Sequence, residues 1–90
     1  MNPTQRQDLK RKAHHLKPVI LVGSKGLTDA LAKETDIALE THELIKVKLS
    51  GLEKEDKAPF VAELCRKVNA ELVQLMGNIA LIYRKSNNSR

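Results

Sequence analysis

The sequence predicts an α+β fold, a two-layer α/β sandwich in which helices pack on a small mixed sheet. Two observations lead to this prediction. Apolar residues recur at helical spacing in residues 4–15, 28–41 and 56–69, whereas four shorter segments are continuously apolar or alternate with polar residues. The order is therefore α-β-α-β-α-β-β. Because helices of crossover length separate the first three strands, we expect these to run parallel and the last strand to return antiparallel.

The first helix is short and basic. Thr4 is a suitable N-cap, and Leu9 and Ala13 belong to a narrow apolar stripe. Pro18 ends the helix, because its ring disfavours helical geometry in the preceding residue. The strand that follows, residues 19–22, is apolar throughout. Such a run indicates an interior strand covered on both faces, or a short strand of a parallel sheet.

The second helix and the second strand have clear patterns. Thr28 is a good N-cap for the helix. Residues 43–50 alternate between apolar and polar side chains, which is typical of a strand. Lys46 and Lys48 share one side of this strand, and we expect that side to be solvent-exposed and basic.

Proline, asparagine and glycine mark the remaining elements. Pro59 is tolerated only in the first turn of a helix, so the third helix should begin near Asp56. Asn69 suits the left-handed residue that ends a helix. Gly77-Asn78 is a good two-residue turn for a hairpin of the last two strands.

Length and charge define the kind of molecule. Ninety residues fit one domain, which we place at residues 1–85, followed by a flexible polar tail at residues 86–90. The net charge of +5 favours an anionic partner. Residues 1–26 carry +5 and residues 81–90 carry +3, whereas residues 27–80 carry −3, so the positive excess lies at the two ends of the chain. An aromatic content of 2% argues against recognition by several stacking rings.

Several classes of protein are disfavoured by what the sequence lacks. The single cysteine, Cys65, excludes an intrachain disulfide. No apolar segment approaches the ~20 residues of a membrane span, and the N-terminus has no signal-peptide pattern, so we expect a cytoplasmic protein that binds no membrane. The three histidines have no metal-ligand spacing, and no Ser-His-Asp or Cys-His set is evident. We therefore expect neither a metal site nor an enzyme.

The most informative segment joins the first strand to the second helix, and it contains Gly23-Ser24-Lys25-Gly26. The glycines let the backbone come close to a ligand, and Lys25 adds a positive charge. A strand, a glycine turn and a helix start can present backbone N–H groups to a phosphate. The spacings of a Walker loop and of a dinucleotide fingerprint are absent. A tight connection that binds nothing explains the same residues about as well.

Other cations could extend a phosphate site. Lys17 precedes the first strand, Lys46 and Lys48 lie on the second, and Lys10 and Arg11 lie on the first helix. Lysines on an exposed strand also discourage aggregation, and a basic helix face is also consistent with simple solvation. Both readings stay open from the residues alone.

The chain resembles the CRM domain (chloroplast RNA splicing and ribosome maturation), especially its stand-alone bacterial YhbY-like form. The resemblance follows the chain in order through Ala13-His14, Leu16-Lys17-Pro18, Val22-Gly23-Ser24-Lys25-Gly26-Leu27-Thr28, His42-Glu43-Leu44-Ile45-Lys46-Val47-Lys48, Gly77 and Leu81-Ile82-Tyr83-Arg84. It implies a four-stranded mixed sheet similar to the C-terminal domain of translation initiation factor three.

The same resemblance implies RNA binding. The family's RNA-contacting loop corresponds to Gly23, Ser24, Lys25 and Gly26, and its flanking basic positions correspond to Lys17, Lys46, Lys48 and Arg84. Two residues depart from the family pattern. Asn78 stands where a basic residue is common, and Asn69 stands where glycine is common.

We therefore expect a monomeric, non-catalytic protein that binds structured ribosomal RNA of the large-subunit precursor during assembly. It would need no cofactor and no small-molecule substrate. In this hypothesis the amides of the glycine loop and Lys25 hold phosphates, and the other cations extend the track. The alternatives are an adaptor domain that binds an acidic protein partner, and a nucleic-acid-modifying enzyme, for which no catalytic set is found.

Overall fold

The structure, a computed structural model, describes residues 1–86 and contains the predicted elements in the predicted order. They are α1 (Pro3–Ala13), β1 (Pro18–Leu21), α2 (Asp29–His42), β2 (Leu44–Lys48), α3 (Lys54–Val68), β3 (Glu71–Met76) and β4 (Ile79–Tyr83). The predicted α+β class with a four-stranded mixed sheet is confirmed.

The strands lie in the order β1-β2-β4-β3. β1 pairs with β2 in parallel, and β4 is antiparallel to both of its neighbours. The first three strands therefore point the same way and β4 returns antiparallel, as predicted, and the structure places β4 between β2 and β3. A positive φ of 58° at Gly77 alone, at the first of two turn residues, fits a type II′ hairpin.

Of the two alternatives for the first strand, the structure matches the short strand with parallel pairing, because β1 has four residues and pairs in parallel with β2. It is not an interior strand, because it lies at the edge of the sheet. Ile20 is buried, whereas Val19 and Leu21 are 45% and 68% exposed. The helix that could cover them, α1, contacts β2 and β3 instead. An apolar run shows that a strand can be covered on both faces, but not that a partner is available for each face.

The main core lies between the sheet and the pair of helices α2 and α3. Leu39 of α2, Leu64 of α3 and Val47 of β2 are all fully buried there. The other sheet face is covered in part by α1, whose Leu9 and Ala13 pack with residues of β2, β3 and β4. The sheet thus has helices on both faces, with the smaller contact on the α1 side.

The start of α1 is determined by Asn2 and not by the predicted Thr4. The Asn2 side chain accepts a hydrogen bond from the backbone amide of Gln5 at 2.7 Å, and Pro3 occupies the first turn, where proline is favoured. Thr4, the predicted cap, is therefore the second residue of the helix.

The other helix ends are closer to prediction. Thr28 caps α2, and Asn69 ends α3 in the left-handed region at φ 59° and ψ 42°. α3 begins at Lys54, two residues before the predicted Asp56, so Pro59 lies in its second turn. The first amides of a helix have no intrahelical acceptor in any case, and Pro59 removes only one later hydrogen bond.

Ser86, the first residue of the predicted tail, packs against the domain. Ser86 is buried, its amide donates to Glu43 Oε2 at 2.8 Å, and its hydroxyl donates to the Glu40 carbonyl at 2.9 Å. The rest of the predicted tail, residues 87–90, lies outside the described residues.

Candidate nucleic-acid interface

The glycine loop, residues 23–26, leaves the end of β1 and leads into α2. Gly26 has a φ of 73°, and its amide donates to the Gly23 carbonyl at 3.2 Å, which closes a tight turn. Gly23, Ser24 and Lys25 are exposed, and among the hydrogen bonds of residues 1–86 none is donated by their amides. Three of the four loop amides are therefore available to an external acceptor.

Both loop glycines have free space where a side chain would begin. Among residues 1–86, a Cβ added at Gly23 or at Gly26 would meet no atom within 4 Å. Neither the space nor the backbone conformation at Gly23 therefore demands glycine, because the φ of Gly23 is not positive. Close approach of a ligand to the backbone is a reason for glycine at that position.

Gly51 packs against the backbone at the base of the glycine loop, and it was not among the predicted site residues. A Cβ at Gly51 would lie 2.6 Å from the Val22 carbonyl oxygen and 2.8 Å from the Gly23 carbonyl carbon. The connection between β2 and α3 is therefore packed directly against the base of the glycine loop. A glycine after a strand signals a turn, but only the folded chain shows which backbone it touches.

Lys48 is the cation of β2 that lies beside the glycine loop. Its carbonyl accepts a hydrogen bond from the Val22 amide at 2.8 Å, and its side chain is exposed. Lys46 differs from prediction, because it is half-buried and its Nζ donates to the Leu16 carbonyl at 3.0 Å. The strand face expected to be solvent-exposed is covered at Lys46 by the segment that follows α1.

The cations of α1 line a groove against the sheet. The groove has a volume of about 500 Å³, and Lys10 and Arg11 contribute to its wall together with Lys46. Arg11 also pairs with Asp8 at 3.1 Å on the exposed helix surface. Lys17 is exposed and precedes β1, so it lies at the end of β1 opposite to the glycine loop.

Arg84 is not brought to the glycine loop. It follows β4 at the end of the sheet where Tyr83 pairs with Leu44, whereas the loop lies at the other end. Its guanidinium is only 15% exposed; it donates to Asp36 Oδ1 at 2.6 Å and to Glu40 Oε1 at 3.2 Å. The structure therefore uses the charge of Arg84 to hold α2 against the end of β4.

Lys57 supplies a positive charge near the hairpin and was not among the predicted site residues. Its Nζ donates to the side chain of Asn78. The Asn78 carbonyl accepts from the Leu49 amide at 2.6 Å, so the hairpin and the β2–α3 connection are held together. The sequence contains no pattern that predicts this contact between the start of α3 and the β3–β4 hairpin.

The acidic groups of this end of the molecule lie on the helix side. Asp29 opens α2 directly after the loop, and Glu55 and Asp56 lie in the first turn of α3. On the other side, the sheet face that carries Lys46 and Lys48 has no acidic residue in the rows nearest the loop. The electrostatic approach of an anion is therefore more favourable from the sheet face.

Cys65 has no nucleophilic character in the folded state. It is buried in α3, and burial raises the pKa of its thiol to about 11. In the described residues, 1–86, no group of three or more His, Cys, Asp and Glu side chains could hold a metal ion. None of the helices within that range is long and apolar enough to span a membrane.

These features define a small α/β domain with a cationic glycine loop at one end of its sheet. The chain belongs to the CRS1/YhbY (CRM) domain family, whose model matches residues 1–84. It is 45% identical over 82 residues to a Pseudomonas aeruginosa protein named as a probable RNA-binding protein, covering 91% of this chain and 79% of that one. It is 40% identical over 90 residues to a Haemophilus influenzae protein named as an RNA-binding protein, covering 100% of this chain and 91% of that one.

A solved structure has the same fold. The solution structure of a hypothetical Staphylococcus aureus protein, proposed to bind RNA, superimposes with a TM-score of 0.84 at 31% identity. The match covers 100% of this chain and 94% of that one.

Proposed function

We propose that this chain is a non-catalytic RNA-binding protein whose glycine loop holds backbone phosphates. The observation that carries the proposal is the exposed loop whose amides at Gly23, Ser24 and Lys25 have no acceptor among residues 1–86. Backbone amides next to a helix start bind anions well. Two relatives are named as a probable RNA-binding protein and an RNA-binding protein, which supports the same class of ligand.

The cations divide into those that can act with the loop and those that cannot. Lys25 lies within the loop and Lys48 beside it, so both can neutralise phosphates held there. Lys10, Arg11 and Lys46 extend the positive surface along the groove between α1 and the sheet. Lys17 would reach only RNA that continues past the start of β1, and Arg84 acts within the protein.

We propose structured ribosomal RNA of the large-subunit precursor as the partner. We further propose that the protein binds it as a monomer in the cytoplasm. This choice comes from the family resemblance to proteins of ribosome maturation. Sedimentation of a cell extract tests it: the protein should move with large-subunit precursors and should be released by nuclease. Persistence in a large complex after nuclease treatment would instead favour the acidic protein partner.

The loop mechanism is tested with Gly23→Ala. The added methyl group meets no protein atom, so the fold should be unchanged, but it lies where a phosphate must approach the amides. We expect the affinity for an RNA hairpin to fall about tenfold, as for loss of a hydrogen bond to a charged group.

Ser24→Ala is the matched control, because it is an equally small change in the same loop that leaves every amide accessible. Its affinity should stay within about twofold of wild type if backbone amides make the contact. Equal affinity of Gly23→Ala and wild type would remove the loop from the mechanism.

A further inference from the structure

A row of four side chains crosses the whole sheet next to the glycine loop. Strand register aligns Leu21 with Lys48, Lys48 with Ile79, and Ile79 with Met76. Ile20 and Val47, one residue earlier on their strands, are buried under α2 and α3, so this row lies on the opposite face. We call Leu21, Lys48, Ile79 and Met76 the distal row; at about 4.8 Å per strand it is about 14 Å wide.

Apart from Lys48, the distal row is apolar, and the residues at its two ends are exposed. Leu21 is 68% exposed and Met76 is 64% exposed, although both are large hydrophobic residues. α1 packs its Leu9 and Ala13 over the other end of this face, near Leu44 and Leu81. The half of the sheet face beside the loop is thus left open.

The groove beside α1 continues from the distal row. Its floor is formed by Met76, Ile79 and Leu81, and its volume of about 500 Å³ is within the range of small-ligand sites. Lys10 and Arg11 stand on the α1 side of the groove, and none of the lining residues in the described part of the chain is acidic. An apolar floor with a cationic wall matches a ligand that has a flat apolar face and an attached anion.

We propose that the distal row and the adjoining groove accept an unpaired nucleobase of the RNA whose backbone lies at the glycine loop. This inference rests on the proposed function. The base lies on Ile79 and on the thioether of Met76, which makes favourable contacts with aromatic rings. The amide of Gln74, which also lines the groove, can donate to and accept from the base edge.

Continuity with the glycine loop identifies the occupant as part of a polynucleotide. Gly23 follows Leu21 by two residues, and Lys48 lies between the loop and the groove floor. A strand held at the loop therefore places its next nucleotides over the distal row. Base faces inside a continuous duplex are stacked on one another and cannot reach this floor, so the inferred ligand is RNA with an unpaired nucleotide next to a helix.

Three RNA hairpins test the inference by fluorescence anisotropy. One has a fully paired stem, the second has one unpaired adenosine in the stem, and the third has an abasic nucleotide at that same position. Wild type should bind the adenosine hairpin about fivefold more tightly than either of the others, as expected for one thioether–ring contact. The abasic hairpin separates docking of the base from flexibility of the backbone.

The double variant Leu21→Ala/Met76→Ala should lose this preference while its affinity for the paired hairpin stays unchanged. Ile37→Ala is the matched control, because Ile37 is also an exposed apolar residue, at 57%, but lies on α2. Unfolding curves verify that the variants remain folded.

Equal binding of the three hairpins by wild type would overturn the inference, and so would a preference that survives in the double variant. Both results leave RNA binding by the loop intact. Failure of the proposed function gives a different result. Wild type would then bind none of the hairpins, or Gly23→Ala would bind each hairpin as tightly as wild type does.

Discussion

Gly51 determines how closely the β2–α3 connection packs against the glycine loop. The atoms that a Cβ would meet there belong to the backbone of Val22 and Gly23, and backbone cannot move aside as a flexible side chain does. The loop's position therefore depends on a residue that is 25 positions further along the chain and contacts no ligand in the proposed mechanism.

Gly51→Ala should destabilise the protein by about 1–3 kcal/mol, the usual cost of forcing an extra carbon into a packed site. Urea unfolding measures this cost. Gly23→Ala is the control, because it adds the same carbon in open space and should change the free energy of unfolding by less than about 0.5 kcal/mol. Equal stability of the two variants would contradict the packing argument.

Lys46 and Arg84 show what residue types alone cannot predict. Both were grouped with the phosphate site, yet Lys46 donates to the Leu16 carbonyl and Arg84 binds Asp36 and Glu40 of α2. Each partner is 30 or more positions away in the sequence. Arg84 is thus neutralised by carboxylates, whereas Lys46 keeps its charge but has its ammonium group held at a backbone carbonyl.

At the scale of the element, α3 contains a local conflict that the fold tolerates. Pro59 is exposed and lies in the second turn, where it cannot donate to the Glu55 carbonyl. The amphipathic face of α3 continues on both sides of it, with Val61 and Leu64 fully buried. Core packing therefore extends the helix beyond the limit that proline suggests.

Pro59→Ala should stabilise the protein by about 1–3 kcal/mol, because alanine restores the amide and removes the ring from the helix interior. Thermal or urea unfolding measures the gain. Pro3→Ala is the matched control, since Pro3 lies in the first turn of α1, where proline is favourable, and no gain is expected there. Loss of stability in Pro59→Ala would refute the strain argument.

The helices and strands themselves were largely predictable from local chemistry. Thr28, Asn69 and the Gly77-Asn78 pair act in the structure as their residue types indicate. β1 is the short, parallel-paired strand that its pattern allows, but its apolar residues Val19 and Leu21 are exposed at the sheet edge. Whether an apolar strand is exposed depends on what packs over it. Here α1 packs over β2 and β3, and the pattern of β1 itself does not show this.

At the scale of the molecule, charge is divided between the two faces of the sheet. α1 carries a net +3 on one face, and α2 carries a net −3 on the other. The sequence shows these charges, and its pattern predicts the relative directions of the strands but not their order in the sheet. It does not show that α1 and α2 lie on opposite sides, because an apolar stripe fits either face of a sheet.

RNA affinity should depend steeply on salt. If about four to six phosphates are neutralised, the plot of log K against log salt has a slope of about −3 to −5. The double variant Lys25→Gln/Lys48→Gln should reduce this slope by about 1.5. Lys33→Gln, on the exposed surface of α2, should leave it unchanged, and a slope near zero in wild type would exclude phosphate contacts as the basis of binding.

The opposite charges of α1 and α2 give the protein an electric dipole directed across the sheet. In the field of a polyanion, a dipolar particle rotates before it makes contact, so collisions with the α2 side first are disfavoured. Encounters that begin in a useful orientation raise the association rate. That advantage fades as added salt shortens the Debye length from about 10 Å at 0.1 M to about 3 Å at 1 M.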